Sequence, residues 1–304
     1  MAPAHEIDIQ ENSLRHRGNL LDILLIDRTS GKNIIWATDS YEAIGKDFAP
    51  KKHIKKELVT GQHGELIQPR AAKPLAEQKQ RTRDKAEVFT PVKIVDKMNN
   101  IVDWPNESWQ AYVSKTILEI SCGEAPFIVS RYNPTAHTGK LIKLSNRVGF
   151  LDRKLRVVSK FCDTPREWIK WAKHAYMASY GYEWQGDNLL IARENLLYTL
   201  IDYYQDKFGR KPSLDLLRSF AEIISWNIFQ MDGLKYVIPM SCEGKSAQNT
   251  TQVSIFPVED EKQEQLSICE GCTSGNYSQH TGKYVRIMDW TLEETNRFVD
   301  ILSK

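Results

Sequence analysis

Three short apolar runs, each closing on an acidic residue, constrain the fold of this chain more than any other feature. Residues 116–119 read TILE, residues 179–183 read SYGYE and residues 227–232 read NIFQMD, so the runs close at Glu119, Glu183 and Asp232. Helix-forming sequence separates them, and strands alternating with helices in this order pair in parallel through crossover connections. An α/β chain is therefore expected. Open parallel sheets receive ligands at the carboxyl ends of their strands, which is where all three acids fall.

The helices are marked by their ends. In DTPREWIKWAKHAYMASYG, Thr164 and Glu167 form a capping-box pattern, Pro165 takes the first turn and Gly181 follows the end. Trp168, Trp171, Ala172, Ala175 and Tyr176 then make one buried stripe. A second helix starts at Asp187 or Asn188 and stops at Gly209, and a third is capped by Ser213. FTPVKIVDKMNNIVD has Thr90 as N-cap, Pro91 just inside the helix, and apolar residues at Ile94, Val95 and Met98. LLDILLIDRTSGKNIIWAT, residues 20–38, reads as a hairpin or short strand pair about a TSGK turn. Residues 46–87 are basic and polar, the pattern of a solvated face or of cations that meet phosphates. In WTLEETNRFVDILSK, Thr291 and Glu294 repeat the capping-box pattern before one short amphipathic C-terminal helix.

With 304 residues the chain is long enough for one large or two modest domains. A net charge of +2 does not identify a polyanion partner, although local clusters still can. No run of about 18 apolar residues occurs, so no membrane span is expected. The opening residues lack the apolar stretch of a secretory signal. Five cysteines are an odd number for a disulfide framework, and the expectation is a cytoplasmic protein with reduced thiols. CEGC at 269–272 offers Cys269 and Cys272 as a zinc-like pair, which Cys242 and His280 could complete to four ligands. The other reading of these residues is a loop of reduced thiols.

The stretch KTILEISCGEAPFIVSRY carries the first acid into small residues at Ser121, Cys122 and Gly123. Small residues between strand and helix let a ligand approach the backbone, and helix N-terminal amides favour anions. Most such corners bind nothing. This one has company, because an acid closing the second strand accepts ribose hydroxyls in nucleoside-cofactor folds.

On these segments the chain resembles the S-adenosylmethionine-dependent DNA methyltransferases that modify adenine at N6, and more narrowly the methyltransferase ("M") subunits of restriction–modification systems. EVFTPVKIVDKM resembles their Phe-x-Thr-Pro segment, which implies that Phe89, Thr90 and Pro91 cradle the methionine part of the cofactor. LEISCGEAPFI resembles their Asp/Glu-Pro-x-x-Gly-x-Gly-x-Phe loop, with Glu119, Ser121, Gly123 and Phe127 in it. YGYEWQGDNLLIAREN resembles the ribose-binding strand and helix, with Glu183 as the acid and Trp184 either stacked on the adenine or in the core. NIFQMDGL resembles the adenine-binding segment, through Asp232 and Gly233. The resemblance covers roughly residues 30 to 290.

It implies a Rossmann-like class I methyltransferase sheet with helices on both faces, plus an N-terminal α+β extension. The divisions are 1–86 for the extension with its basic connector and 87–240 for the cofactor-binding core, with an insertion near 131–163. Residues 241–304 are a cysteine-containing, candidate zinc-binding loop with a C-terminal helix. The chain departs from the family in four ways, one being the insertion near 131–163, which separates Gly123 from Glu183 by about three times the usual ~20 residues. Ile120 stands where the loop has proline. Ala125 stands for its second glycine, tolerable if its φ is negative. The catalytic Asn/Asp-Pro-Pro-Tyr/Phe tetrapeptide, which holds a flipped adenine, does not occur. The resemblance thus implies the S-adenosylmethionine-binding part of an enzyme that methylates DNA, with a separate catalytic and target-recognition or restriction subunit as partner. Two other readings stay open: a non-catalytic subunit or truncated remnant of a restriction complex, and a zinc-bearing DNA-binding protein on a methyltransferase-like scaffold.

Overall fold

The computed structural model describes residues 14–85, 87–102, 108–136, 139–242 and 269–302. Much of the sequence between the outer cysteines, 243–268, lies outside the described residues, as does the N-terminal stretch 1–13. Ten helices and two small sheets make up the described chain. In order they are α1 (Leu20–Leu25), α2 (Leu75–Lys85), α3 (Val92–Val102), α4 (Trp109–Ser114) and β1 (Ile117–Glu119). Next come α5 (Phe150–Phe161), α6 (Pro165–Met177), β2 (Ser179–Glu183), α7 (Gly186–Phe208), α8 (Leu214–Asn227) and β3 (Ile228–Gln230). The C-terminal part holds α9 (Glu270–Ser274), β4 (Arg286–Asp289), β5 (Glu294–Arg297) and α10 (Phe298–Ile301).

The three expected strands form one parallel sheet in the order β1-β2-β3, with Glu119 beside Gly181 and Glu183 beside Gln230. Local signals set the helices before them. Thr164 accepts the Glu167 N–H above Pro165, and Ser213 accepts the Leu216 N–H, each filling an orphan donor of a first turn. Gly209 ends α7 in the left-handed conformation that glycine adopts without strain. Three boundaries differ from expectation. Gly181 lies inside β2 rather than after α6, Gln185 rather than Asp187 or Asn188 occupies the cap of α7, and Pro91 rather than Thr90 precedes α3.

Side chains alternate across a strand, so the two faces of the sheet separate cleanly. Ile117 and Ile228 face the main apolar cluster, built by α1 and α4 to α8 around the almost wholly buried α7. Burying Trp168 there contributes on the order of 3–5 kcal/mol against alanine. Residues of the N-terminal stretch, from Leu14 to Ile67, share the same cluster. Arg193, fully buried on α7, donates to the carbonyls of Leu24, Ile26, Ser225 and Ile228, tying the N-terminal segment to the end of α8.

Tyr180, Tyr182 and Phe229 point to the other face. Helices were expected on both faces; among the described residues this one carries Met231, Tyr236 and Ile238 from the segment after β3, Val285 and Ile287 beside and in β4, and Phe298 from the short helix α10. Two further expectations are corrected. The residues after Trp290 are strand β5 followed by the four-residue α10, because Glu294–Arg297 pairs antiparallel with Arg286–Asp289. LLDILL is helix α1 rather than a strand, packed on α7 and α8; of the expected pair the single bridge Ile26 to Asn33 remains about the TSGK turn, with the Asp27 N–H on the Lys32 carbonyl and the Ile34 N–H on the Leu25 carbonyl. No helix of the described residues is long and apolar enough to cross a membrane.

Candidate functional sites

The turn after β1 carries unusual backbone. Ser121, Gly123 and Ala125 all have positive φ, at 49°, 54° and 64°. Ala125 therefore does not take the negative φ expected of it; it holds the left-handed conformation of the glycine it replaces, at a cost of roughly 1–2 kcal/mol. Ala125 is fully buried beneath the turn. Gly123 is needed where it stands, since a Cβ there would meet the Phe89 ring at 3.2 Å. Phe89 in turn lies 4.9 Å from the Arg70 guanidinium.

A cavity of about 500 Å³ opens over this turn, within the usual range for small-molecule sites. Phe89, Thr90, Glu119, Ser121, Gly123, Glu183 and Trp184 all line it. They come from the entry to α3, the turn after β1, and the end of β2. Glu183 is buried and accepts the Gly123 N–H at 2.9 Å and the Gln185 N–H at 3.1 Å. Burial pushes its carboxyl up to about 7, against those two donors. Burial also pushes Glu119 up to about 7, and no hydrogen bond reaches its carboxylate among the described residues. Trp184 is 37% exposed at the rim, its indole N–H donating to the Ala37 carbonyl at 2.8 Å. Gln230 fixes the same junction, exchanging hydrogen bonds with Ile35 and donating to the Trp184 carbonyl.

Three residues expected at this site do not line the cavity. Pro91 opens α3 instead, its carbonyl accepting the Val95 N–H. Asp232 turns its carboxylate onto its own loop, accepting the Leu234 N–H at 3.0 Å and the Lys235 N–H at 3.2 Å, with the Lys235 ammonium at 3.8 Å. Gly233 lies under Tyr182, whose ring a Cβ would meet at 2.8 Å. Conversely, Gln185 and Asn188 line the cavity from the start of α7, and Met98 lines it from α3. Their sequence signal is position alone: two polar residues just after the acid that ends β2, and one apolar residue on the open side of α3.

The expected cysteine and histidine residues do meet. Cys242, Cys269, Cys272 and His280 present ligand atoms within 4.8 Å of one another, a cluster compatible with a zinc ion. His280 Nδ1 lies 3.8, 3.6 and 3.6 Å from the three sulfurs, taken in chain order. A tetrahedron with ordinary Zn–S and Zn–N bonds has sulfur–nitrogen edges of about 3.6 Å. Glycines admit this approach: a Cβ on Gly271 would lie 2.8 Å from His280 Nδ1, and one on Gly282 2.9 Å from Cys242 Sγ. Hydrogen bonds from Thr281, whose N–H lies 3.3 Å from the sulfur, hold the Cys269 thiol down to about 5. Burial instead pushes Cys242 up to about 11. Despite desolvation, the Cys272 sulfur, Asp232 and Cys242 raise Lys235 above its ordinary value, so this ammonium lies between the cluster and the Asp232 turn. Cys122 and Cys162 are buried apart from the cluster.

Comparison with family models, with curated proteins and with solved structures finds no match for this chain.

Proposed function

We propose that the chain is the S-adenosylmethionine-binding part of a DNA adenine-N6 methyltransferase of a restriction–modification system, with methyl transfer completed by a separate segment or subunit. One observation carries the reading: seven residues singled out by sequence, from three separate segments, line one cavity at the carboxyl end of a parallel sheet. The cofactor would supply an electrophilic methyl group on a sulfonium. Glu183, and Glu119 beside it, would accept hydroxyl donors of its ribose once ionised. Phe89 and Thr90 would border its methionine part, and the Gly123 turn would allow close approach of the backbone. The fold class implied is Rossmann-like. The catalytic tetrapeptide does not occur in these 304 residues, so methyl transfer would draw on a segment outside them or on a partner, with DNA and a target-recognition subunit as the proposed partners; a non-catalytic cofactor-binding subunit suits the same residues.

The four-donor cluster belongs to the same reading as a structural zinc site, because all four positions of a tetrahedron are filled by the chain and none is left for substrate. Calorimetric titration with S-adenosylmethionine tests the cavity. Micromolar binding is expected, lost in Glu183→Ala and retained in Asp232→Ala. Binding that survives Glu183→Ala but not Asp232→Ala would move the site away from this cavity.

A further inference from the structure

Across α3 from the cavity lies a second, larger cleft of about 780 Å³, between α3, α4 and α5. Its floor is one face of α5. Arg153, Arg156, Val157 and Lys160 follow the i, i+3, i+4, i+7 spacing of a helix stripe and all line it. Arg147 joins them from the preceding turn. Against these four cations the lining offers a single carboxylate, Asp96, already held by Arg153 at 2.9 Å. Arg147 is held by Asp202 at 2.6 Å, yet its Nη1 is buried without a hydrogen-bond partner. Arg156 spends Nη1 on the carbonyl of Arg147, with the buried Asp152 a counter-charge to both arginines, so the exposed Lys160 is the cation left without a carboxylate among the described residues. A cleft lined by one sign of charge focuses that field on whatever enters.

An aromatic pair closes the end of this row, Phe161 from the last turn of α5 and Trp109 from α4. Trp109 and Phe161 stack with centroids 5.2 Å apart and planes 4° from parallel, and Phe161 is half exposed. The Lys160 ammonium lies 5.4 Å from the Phe161 ring. Cations beside an aromatic platform are the chemistry that holds nucleotides of a single strand. The cationic row from Arg153 to Lys160 runs about 10 Å along the helix, which suits a repeating anion better than one phosphate. The cleft also shares its wall with the cavity. Asn99 donates to the Phe127 carbonyl on the cavity side at 3.0 Å and to the Val148 carbonyl on the cleft side at 2.9 Å.

We infer that this cleft binds the phosphate backbone of a single nucleic-acid strand, with the Trp109–Phe161 pair as a stacking surface. The inference deepens the DNA part of the reading above and rests on it. Fluorescence anisotropy of the whole chain with a labelled single-stranded oligodeoxynucleotide tests it. Lys160 is exposed and lies outside the cavity, so Lys160→Glu should keep its melting temperature and its S-adenosylmethionine binding. It should weaken strand binding ~10-fold at low salt and flatten the salt dependence by about one phosphate contact. Lys79→Glu, on the basic helix α2, should stay within about twofold of wild type if contacts are local to the cleft. The inference is overturned if the wild-type chain does not bind, if Lys160→Glu binds as tightly, or if Lys79→Glu weakens binding equally. It is also overturned if adenosine monophosphate binds with the same Lys160 dependence while the strand does not, which would assign the cleft to a free nucleotide. Failure of strand binding with S-adenosylmethionine binding intact would remove the cleft alone. Loss of cofactor binding in the wild-type chain would remove the cavity reading instead.

Discussion

The cavity beside β1 and the cysteine–histidine cluster near the C-terminus treat buried charge in opposite ways. In the cavity, burial pushes Glu119 and Glu183 up to about 7, and the turn above them keeps Ser121 and Ala125 in left-handed conformations. Desolvated carboxylates and backbone strain are retained in an open space. In the cluster, four donors stand within 4.8 Å of one another, the histidine nitrogen at 3.6–3.8 Å from each sulfur, glycines clear their approach, and Lys235 adds a cation close by. The contrast separates a site suited to an exchangeable ligand, whose binding relieves the cost, from one suited to a permanent ion that joins chain segments.

Metal removal should have the largest effect on the fold. Chelation, or Cys269→Ser, should lower the melting temperature by roughly 10 °C, since a structural zinc contributes several kcal/mol to folding. Elemental analysis should find zinc bound to the wild-type chain. An unchanged melting temperature with no bound metal would leave the cluster a set of reduced thiols. In the cavity, Gly123→Ala should cost about 1–2 kcal/mol from the left-handed backbone alone, and more if Phe89 cannot move from its 3.2 Å contact. Equilibrium denaturation measures this, and the same variant should weaken cofactor binding.

The pH dependence sharpens the cavity's side of the contrast. Glu119 and Glu183 have folded-state values near 7, above the ordinary 4.5, so between those values the folded chain holds protons that the unfolded chain has released. Their contribution to stability therefore falls as pH rises through that window, and above about 7 each ionised carboxylate is a full penalty. A ligand that donates to an ionised carboxylate should bind roughly tenfold tighter at pH 8 than at pH 6 for each carboxylate it engages, and release protons on binding. Titrations in buffers of different ionisation enthalpy read that release, and proton uptake would contradict the assignment. The smallest effect is expected from Ala125→Gly. Relief of left-handed strain outweighs loss of one buried methyl, giving a gain of up to about 1 kcal/mol. A loss of stability would show that the Ala125 methyl matters more than its φ.

The strands and several helix starts were legible because their signals are local. Ile117–Glu119, Ser179–Glu183 and Ile228–Gln230 are short apolar or aromatic runs after helices with readable caps at Thr164 and Ser213. The three segments that line the cavity could be named for the same reason, each carrying its own pattern of acid, small residue or Thr-Pro. The cluster was legible through the CEGC pair.

The errors lie where distant contacts decide. LLDILL reads as one apolar arm of a hairpin because a TSGK turn follows it, yet its leucines are good helix formers and as a helix they fill the space beside α7 and α8. The Thr291–Glu294 capping pattern was outweighed by pairing of β5 with β4, and the Thr291 N–H is taken by Asp289. Asp232 follows its strand as expected, but the Asp-Gly step makes a turn and folds the carboxylate onto the following amides. The cleft across α3 brings together residues 96 to 161, and no single segment announces it.

The central claim is that the cavity between Phe89, Gly123, Glu183 and Trp184 receives S-adenosylmethionine. A crystal structure of the chain grown with that cofactor tests it most directly. Cofactor density is expected over the Gly123 turn, with ribose oxygens on Glu183. Cofactor density elsewhere, or an empty cavity in crystals grown at saturating cofactor, would contradict it.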